Sequence, residues 1–335
     1  MTKISIDKLV IGKPLPPSLL KSISDRLPGV KIVITETEED QARELNDADV
    51  LFTRILPKEI RSAVRLKWVQ FMWEGIDAMS SELKESNILL TNAGGAHAIQ
   101  IAEHVFAYIL NLSRQNRMYI RHQDNRYWLP WKDQPELKSL HGSTIGIIGY
   151  GRLGKAIATI AKGFGMKIIA LKRNPGKQIN YEHQGELNGD PNDIIPDRIM
   201  GPEGLSYLLG RSDHVVVTLP LTEETEGLIG RNQFKEMKRT AFFINVGRGR
   251  IVDEHSLIEA IKTETIAGAG LDVFYTEPLP LESPLWDMEN VLITPHSSVG
   301  GDPADKQVVD IFLENLNRIK RGESLINLMD KSRGY

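Results

Sequence analysis

Apolar residues recur over the first ninety positions in short blocks, at 32–34, 50–52, 67–71 and 88–90, with polar, helix-compatible stretches between them such as 40–46. Short apolar runs alternating with helical segments predict the strands of a parallel α/β layer. The period then changes. Ile101, Val105, Tyr108, Ile109 and Leu112 fall at helical spacing with no internal Gly or Pro, which predicts one long helix from 101 to about 118. Residues 127–140 show no period and contain two prolines, which predicts a surface excursion carrying Trp128 and Trp131.

A second series follows at 144–148, 167–171, 215–219, 241–246, 267–273 and 291–294. These runs are apolar without alternation, as strands covered on both faces are, and six of them in about 150 residues predict a doubly wound sheet. The polar stretch 174–202 is expected to be a loop with at most short helical pieces. The last amphipathic segment, 305–320, is expected to return the chain to its first domain.

Composition narrows the class. A chain of 335 residues is long enough for about two domains, and 41% hydrophobic with 25% charged residues is ordinary globular usage. The 41 Lys and Arg against 44 Asp and Glu leave a net charge of −3, so neither nucleic acid nor an anionic membrane is an expected partner. The absence of Cys excludes disulfides, thiolate nucleophiles and cysteine-ligated metals, and nothing else in the sequence asks for a metal. With no signal-like start and no apolar run near 18 residues, the expected location is cytoplasmic.

The chemistry starts at Gly149-Tyr150-Gly151-Arg152-Leu153-Gly154, a GxGxxG turn between the strand 144–148 and a helix expected over 152–163. In that setting the first glycine turns tightly, the second lets a pyrophosphate approach, and the third allows close helix packing. Where a dinucleotide fingerprint places an acid for the ribose, the second strand ends in Lys172-Arg173-Asn174. Two cations without a carboxylate favour the 2′-phosphate of NADP(H), with NAD(H) possible. Three further strand ends carry Arg248, Glu277 and His296, separated by 29 and 19 positions. A guanidinium for a carboxylate and keto oxygen, an imidazolium as proton donor and a carboxylate that favours its charged form suit reduction of a 2-oxo acid.

Together with Ser212-Asp213-His214-Val215, Leu219-Pro220-Leu221-Thr222, Thr225, Asn245-Val246-Gly247-Arg248, Asp272-Val273-Phe274, Glu277-Pro278, Ser283-Pro284-Leu285-Trp286 and Thr294-Pro295-His296, these motifs resemble the D-isomer-specific 2-hydroxyacid dehydrogenases over nearly the whole chain. The resemblance implies that Arg248, Glu277 and His296 are catalytic and that Asp272 contacts the nicotinamide carboxamide. The glycine turn, Lys172, Arg173, Leu219, Pro220, Thr225, Val246, Gly247, Arg248, Asp272 and His296 would bind the cofactor. Glu74, Gly75, Ile76, Arg54, Arg248 and His296 would meet the substrate. Two departures stand out: Glu74 where a small residue is usual, beside the bulky Trp73, and Val299, since a small residue often stands three places after the His, with Gly300 and Gly301 following it here. Glu103 is assigned a hinge or structural role, and the remaining histidines, His104 among them, structural or solvated roles.

The expected architecture is α/β: two Rossmann-like domains with parallel sheets, a flavodoxin-like substrate domain of residues 1–108 and 305–335, and an inserted NAD(P)-binding domain of 109–304. The expected activity is hydride transfer between NAD(P)H and a small 2-oxo acid, glyoxylate or hydroxypyruvate. A phosphoglycerate-type or other D-2-hydroxyacid dehydrogenase, or a cofactor-sensing co-repressor, is the alternative. Residues 101–118 and the Trp128 and Trp131 excursion suit a homodimer interface. The end at Tyr335 leaves no room for the regulatory extension of longer phosphoglycerate dehydrogenases, so no feedback through one is expected.

Overall fold

The computed structural model describes residues 5–331 apart from 56, 58, 59, 61, 76–79, 177–195, 300 and 301, and only the backbone of 302–304. Lys8–Gly12 (β1) is buried along its whole length and lies inside the first sheet. The apolar periodicity predicts no strand here, because Lys8 and Lys13 bracket the run. Lys8 is nonetheless buried, its ammonium held by Glu44 at 2.8 Å and by Asp47. Pro17–Arg26 (α1), Lys31–Ile34 (β2), Glu38–Glu44 (α2), Val50–Thr53 (β3), Trp68–Phe71 (β4), Ser81–Glu85 (α3) and Leu89–Thr91 (β5) complete the N-terminal part. The sheet order is β2-β1-β3-β4-β5 and every pairing is parallel. This is the flavodoxin-like winding, whose ligands lie beyond the strands' carboxyl ends. Arg54 follows β3 there, and Glu74 and Gly75 follow β4.

Ala98–Ser113 (α4) and Asn116–Asp124 (α5) replace the single helix expected to 118: Gln115 takes the left-handed conformation (φ 55°) and breaks it. Then come Thr144–Ile148 (β6), Arg152–Gly163 (α6), Lys167–Leu171 (β7), Arg198–Met200 (β8), Leu205–Arg211 (α7), His214–Val217 (β9), Arg231–Glu236 (α8), Phe242–Asn245 (β10), Glu254–Lys262 (α9), Gly268–Leu271 (β11), Val291–Ile293 (β12) and Asp302–Arg321 (α10). The second sheet runs β12-β11-β10-β9-β6-β7-β8, all parallel, a dinucleotide-type order with a seventh strand. The sequence pattern predicts six strands. The additional one is β8, an edge strand of three residues inside the expected loop, hidden between Pro196 and Gly201-Pro202. Residues 177–195 of that loop lie outside the described residues.

The chain divides into two compact units, one running to His97 and resuming at 301, the other running from Ala98 to 300. The first boundary therefore falls before α4 and not at 108. The physical reason is that all of α4 packs on the second unit: its apolar face joins the core with Ile145, Ile147, Ile157 and Ile244. Gly270 of β11 makes room for it, since a Cβ there would stand 2.6 Å from Cγ of Tyr108. The first unit has its own core, where Phe312 of α10 stacks on Phe52 and Trp68 with ring centroids 4.4 and 5.1 Å apart.

Candidate active site

The glycine turn has the geometry that its residue types require. Gly149 sits at φ 112°, where a side chain would be strained, and a Cβ would also meet Oγ1 of Thr218 at 2.8 Å. A Cβ on Gly154 would stand 2.7 Å from the carbonyl oxygen of Gly149, so this glycine lets α6 close onto the turn. Gly151, the residue before α6, faces open space: apart from its own neighbours along the chain, nothing lies within 4 Å of where its Cβ would be. Bare backbone, an open approach and a twelve-residue helix N-terminus fit the pyrophosphate of a dinucleotide. Tyr150 is buried, its amide donating to the Leu171 carbonyl at 2.7 Å, while Arg152 and Leu153 are half-buried. Lys172 and Arg173 follow β7, and the Lys172 amide donates to the Met200 carbonyl at 2.9 Å.

The loops after β9, β10 and β11 interlock. Thr225 closes the first: its hydroxyl accepts from the Thr222 amide at 2.8 Å and donates to the Pro220 carbonyl at 2.7 Å. A Cβ on Gly247 would lie 2.8 Å from the Leu219 carbonyl oxygen, which joins that loop to the next. Val246 is buried, and Asn245 shapes the turn around Arg248, accepting from the Gly247 amide at 3.1 Å and donating to the Arg248 carbonyl at 3.0 Å. Gly249 then lies flat on the third loop, where a Cβ would fall 1.9 Å from the backbone of Phe274. The Phe274 amide donates to Oε1 of Glu277 at 3.0 Å, so the turn bearing Arg248 rests on the segment that fixes Glu277.

His296 Nδ1 is 2.8 Å from Oε2 of Glu277, the two ends of the glutamate being divided between the imidazole and the Phe274 amide. His296 itself has φ 51°, left-handed for a non-glycine residue, a conformation that costs on the order of 1–3 kcal/mol and persists only where its surroundings impose it. Asp272 imposes it. Its carbonyl accepts from the His296 amide at 2.8 Å, and its carboxylate accepts from the amides of Ser297 at 2.8 Å and Ser298 at 3.1 Å and from the Thr294 hydroxyl. The Asp272 carboxylate is fully buried; burial opposes its charge, but the hydrogen bonds from Ser298, Thr294 and the two amides win and hold it below the usual carboxylate range.

One layer further in, α4 supplies residues that the sequence did not single out. His104 Nε2 lies 3.0 Å from Oγ1 of Thr294 and 3.8 Å from Oδ1 of Asp272, and the Tyr108 hydroxyl also meets Thr294. The one available signal was the spacing of four between His104 and Tyr108, which puts both on one helical face. Glu103 is exposed on the same helix.

In the first unit, Arg54 donates to Asp305 at 2.9 Å, and Lys13 reaches the same carboxylate at 3.1 Å. Glu74 Oε1 accepts from the Gly95 amide at 2.9 Å. Gly75 is described and half-buried, whereas Ile76, Gly300 and Gly301 lie outside the described residues. Among the described residues no helix is long and apolar enough to cross a membrane.

Comparison with known proteins agrees with this geometry. Residues 106–298 match the family model of the D-isomer-specific 2-hydroxyacid dehydrogenase NAD-binding domain. A glyoxylate reductase of Korarchaeum cryptofilum is 34% identical over 318 residues, covering 92% of this chain and 88% of that protein. A D-isomer-specific 2-hydroxyacid dehydrogenase family protein from Aeromonas salmonicida superposes with a TM-score of 0.82 at 29% identity, covering 98% of this chain and all of the other. The D-isomer-specific 2-hydroxyacid dehydrogenase of Xanthobacter autotrophicus, solved with NADPH and MES, gives 0.81 at 28%, covering 99% of this chain and all of the other. Nicotinamide-dependent oxidoreduction is the chemistry of such a fold and site, and the chain belongs to the D-isomer-specific 2-hydroxyacid dehydrogenase family.

Proposed function

We propose that the protein reduces a small 2-oxo acid, glyoxylate or hydroxypyruvate, to the 2-hydroxy acid, with NADPH preferred over NADH. The observation that carries this is the 2.8 Å pair of His296 Nδ1 and Glu277 Oε2 on a turn hydrogen-bonded to Asp272. With Nδ1–H donated to the carboxylate, Nε2–H of the imidazolium is left to give its proton to the substrate. NADPH, when bound, would supply the hydride for C2; His296 would give its proton to the carbonyl oxygen and be left as neutral imidazole beside Glu277. Arg248 holds the carboxylate and the carbonyl oxygen, the latter more strongly as it gains charge.

The backbone amides of Gly75 and Ile76 are assigned to the substrate carboxylate, and the first unit to substrate binding. The second unit holds the dinucleotide through the turn from Gly149 to Gly154, with Leu219, Pro220, Thr225, Val246, Gly247 and Asp272 around it. Lys172 and Arg173, which stand in the sequence where a dinucleotide fingerprint places an acid for the ribose, support the 2′-phosphate of NADP(H), as does the NADPH held by the Xanthobacter relative. A small substrate is supported by the glyoxylate reductase relative. Trp128 and Trp131, 90% and 87% exposed, support a homodimer formed through that segment.

Replacing His296 with Ala tests the assignment. Loss of the proton donor is expected to lower kcat for glyoxylate by about 10²–10⁴-fold while NADPH affinity, measured by cofactor fluorescence, stays within about twofold. Turnover near that of the wild type would contradict it.

A further inference from the structure

We propose that Asn327, in the tail beyond α10, is a positioning residue for the substrate carboxylate, acting through Asn92 and Glu74 on the amide of Gly75. This rests on the assignment of that amide to the carboxylate and concerns the first unit alone.

The tail is fixed at both sides of Asn327. Asn315 of α10, fully buried, takes both backbone groups of Ile326: its Oδ1 accepts from the Ile326 amide at 2.7 Å and its Nδ2 donates to the Ile326 carbonyl at 3.2 Å. Beyond, Leu328 bridges Thr91 in antiparallel sense and the Met329 amide donates to the Leu90 carbonyl at 2.9 Å, so the tail lines the free edge of β5. Between these anchors Asn327 adopts φ 53°, a conformation that Asn tolerates better than most residues. Its Nδ2 donates to the carbonyls of Asn92 at 3.1 Å and Gly94 at 2.9 Å, and its carbonyl accepts from the Asn92 amide at 3.3 Å.

Asn92 passes the constraint on. Its Oδ1 accepts from the Gly94 amide at 2.9 Å, and its Nδ2 donates to the carbonyl of Glu74 at 2.8 Å. That carbonyl and the N–H of Gly75 belong to one planar trans peptide, so fixing the oxygen aims the N–H the opposite way. Two more bonds hold the same strand end: the Ala93 amide to the Trp73 carbonyl at 3.0 Å, and the Gly95 amide to Oε1 of Glu74 at 2.9 Å. The acid at position 74, unusual beside a carboxylate substrate, therefore anchors the loop through its own carboxylate.

Asn327→Gly keeps the left-handed backbone and deletes the side-chain amide. The expected result is a KM for glyoxylate raised about tenfold, with kcat and the Kd for NADPH each within about twofold of wild type. The Kd of oxamate on the NADPH-loaded protein, which needs no turnover, should weaken in parallel. Asn92→Asp retains the acceptor for Gly94 and removes the donor to Glu74; it should show the same split and serves if the first variant does not fold. The proposal is overturned if both affinities stay within twofold of wild type, or if kcat and thermal stability fall while KM holds. A wild type that binds oxamate without reducing any 2-oxo acid would sink the proposed function and leave this inference to the oxamate titration, whereas a wild type that binds none would overturn both.

Discussion

His97 and His214 are buried histidines whose protonation the fold resists. Burial pushes each from 6.5 down to about 4; for His97 the nearby Arg54 adds to this and Asp305 opposes it, and for His214 Asp213 opposes it while Lys138 and Lys238 assist. In the unfolded chain both would protonate near pH 6.5, so between about 6.5 and 4 the unfolded state binds more protons and stability must fall with pH. The slope is at most about 1.4 kcal/mol per pH unit for each residue. A lower urea midpoint at pH 5.0 than at pH 7.5 is expected; a midpoint unchanged or higher at pH 5.0 would contradict the burial assigned to these rings. Residue types were the most legible feature of the candidate site, because the proton transfer and carboxylate binding proposed for it are suited by His, Glu and Arg at strand ends. The support of His296 was not legible: His104 and Tyr108 reach Thr294 across 190 and 186 positions, a contact created by packing α4 on the sheet.

Between elements, the decisive contacts are backbone against backbone. The Arg248 turn and the Glu277 segment touch at Gly249 and Phe274, where a Cβ would stand 1.9 Å from main-chain atoms that cannot rotate away. Gly249→Ala is therefore expected to push the two loops apart, at a cost of about 1–3 kcal/mol in stability and with kcat/KM lowered tenfold or more, checked by thermal melts and steady-state kinetics. Wild-type values in both would show that the loops do not bear on each other. Strands covered on both faces announced themselves as apolar runs, whereas β1 and β8 did not. Lys8 lies inside β1 with its charge compensated by Glu44 and Asp47, and β8 is an edge of three residues framed by turn-forming prolines. The break at Gln115 left no Gly or Pro to mark it.

Across the whole molecule, each of two parallel sheets presents its candidate chemistry at the carboxyl ends of its strands, in the windings 2-1-3-4-5 and 3-2-1-4-5-6-7. That layout was readable from alternating strand and helix blocks, and the boundary at His97 was not, because an unbroken amphipathic helix carries no mark of which core it joins. The reaction proposed for the protein is reduction of a small 2-oxo acid with NADPH as the favoured donor. The most direct measurement is the initial rate of cofactor oxidation with glyoxylate and with hydroxypyruvate, each run with NADPH and NADH in parallel. Turnover of at least one acid, with kcat/KM tenfold or more higher for NADPH, is the predicted result; absence of oxidation with either acid and either cofactor would contradict it.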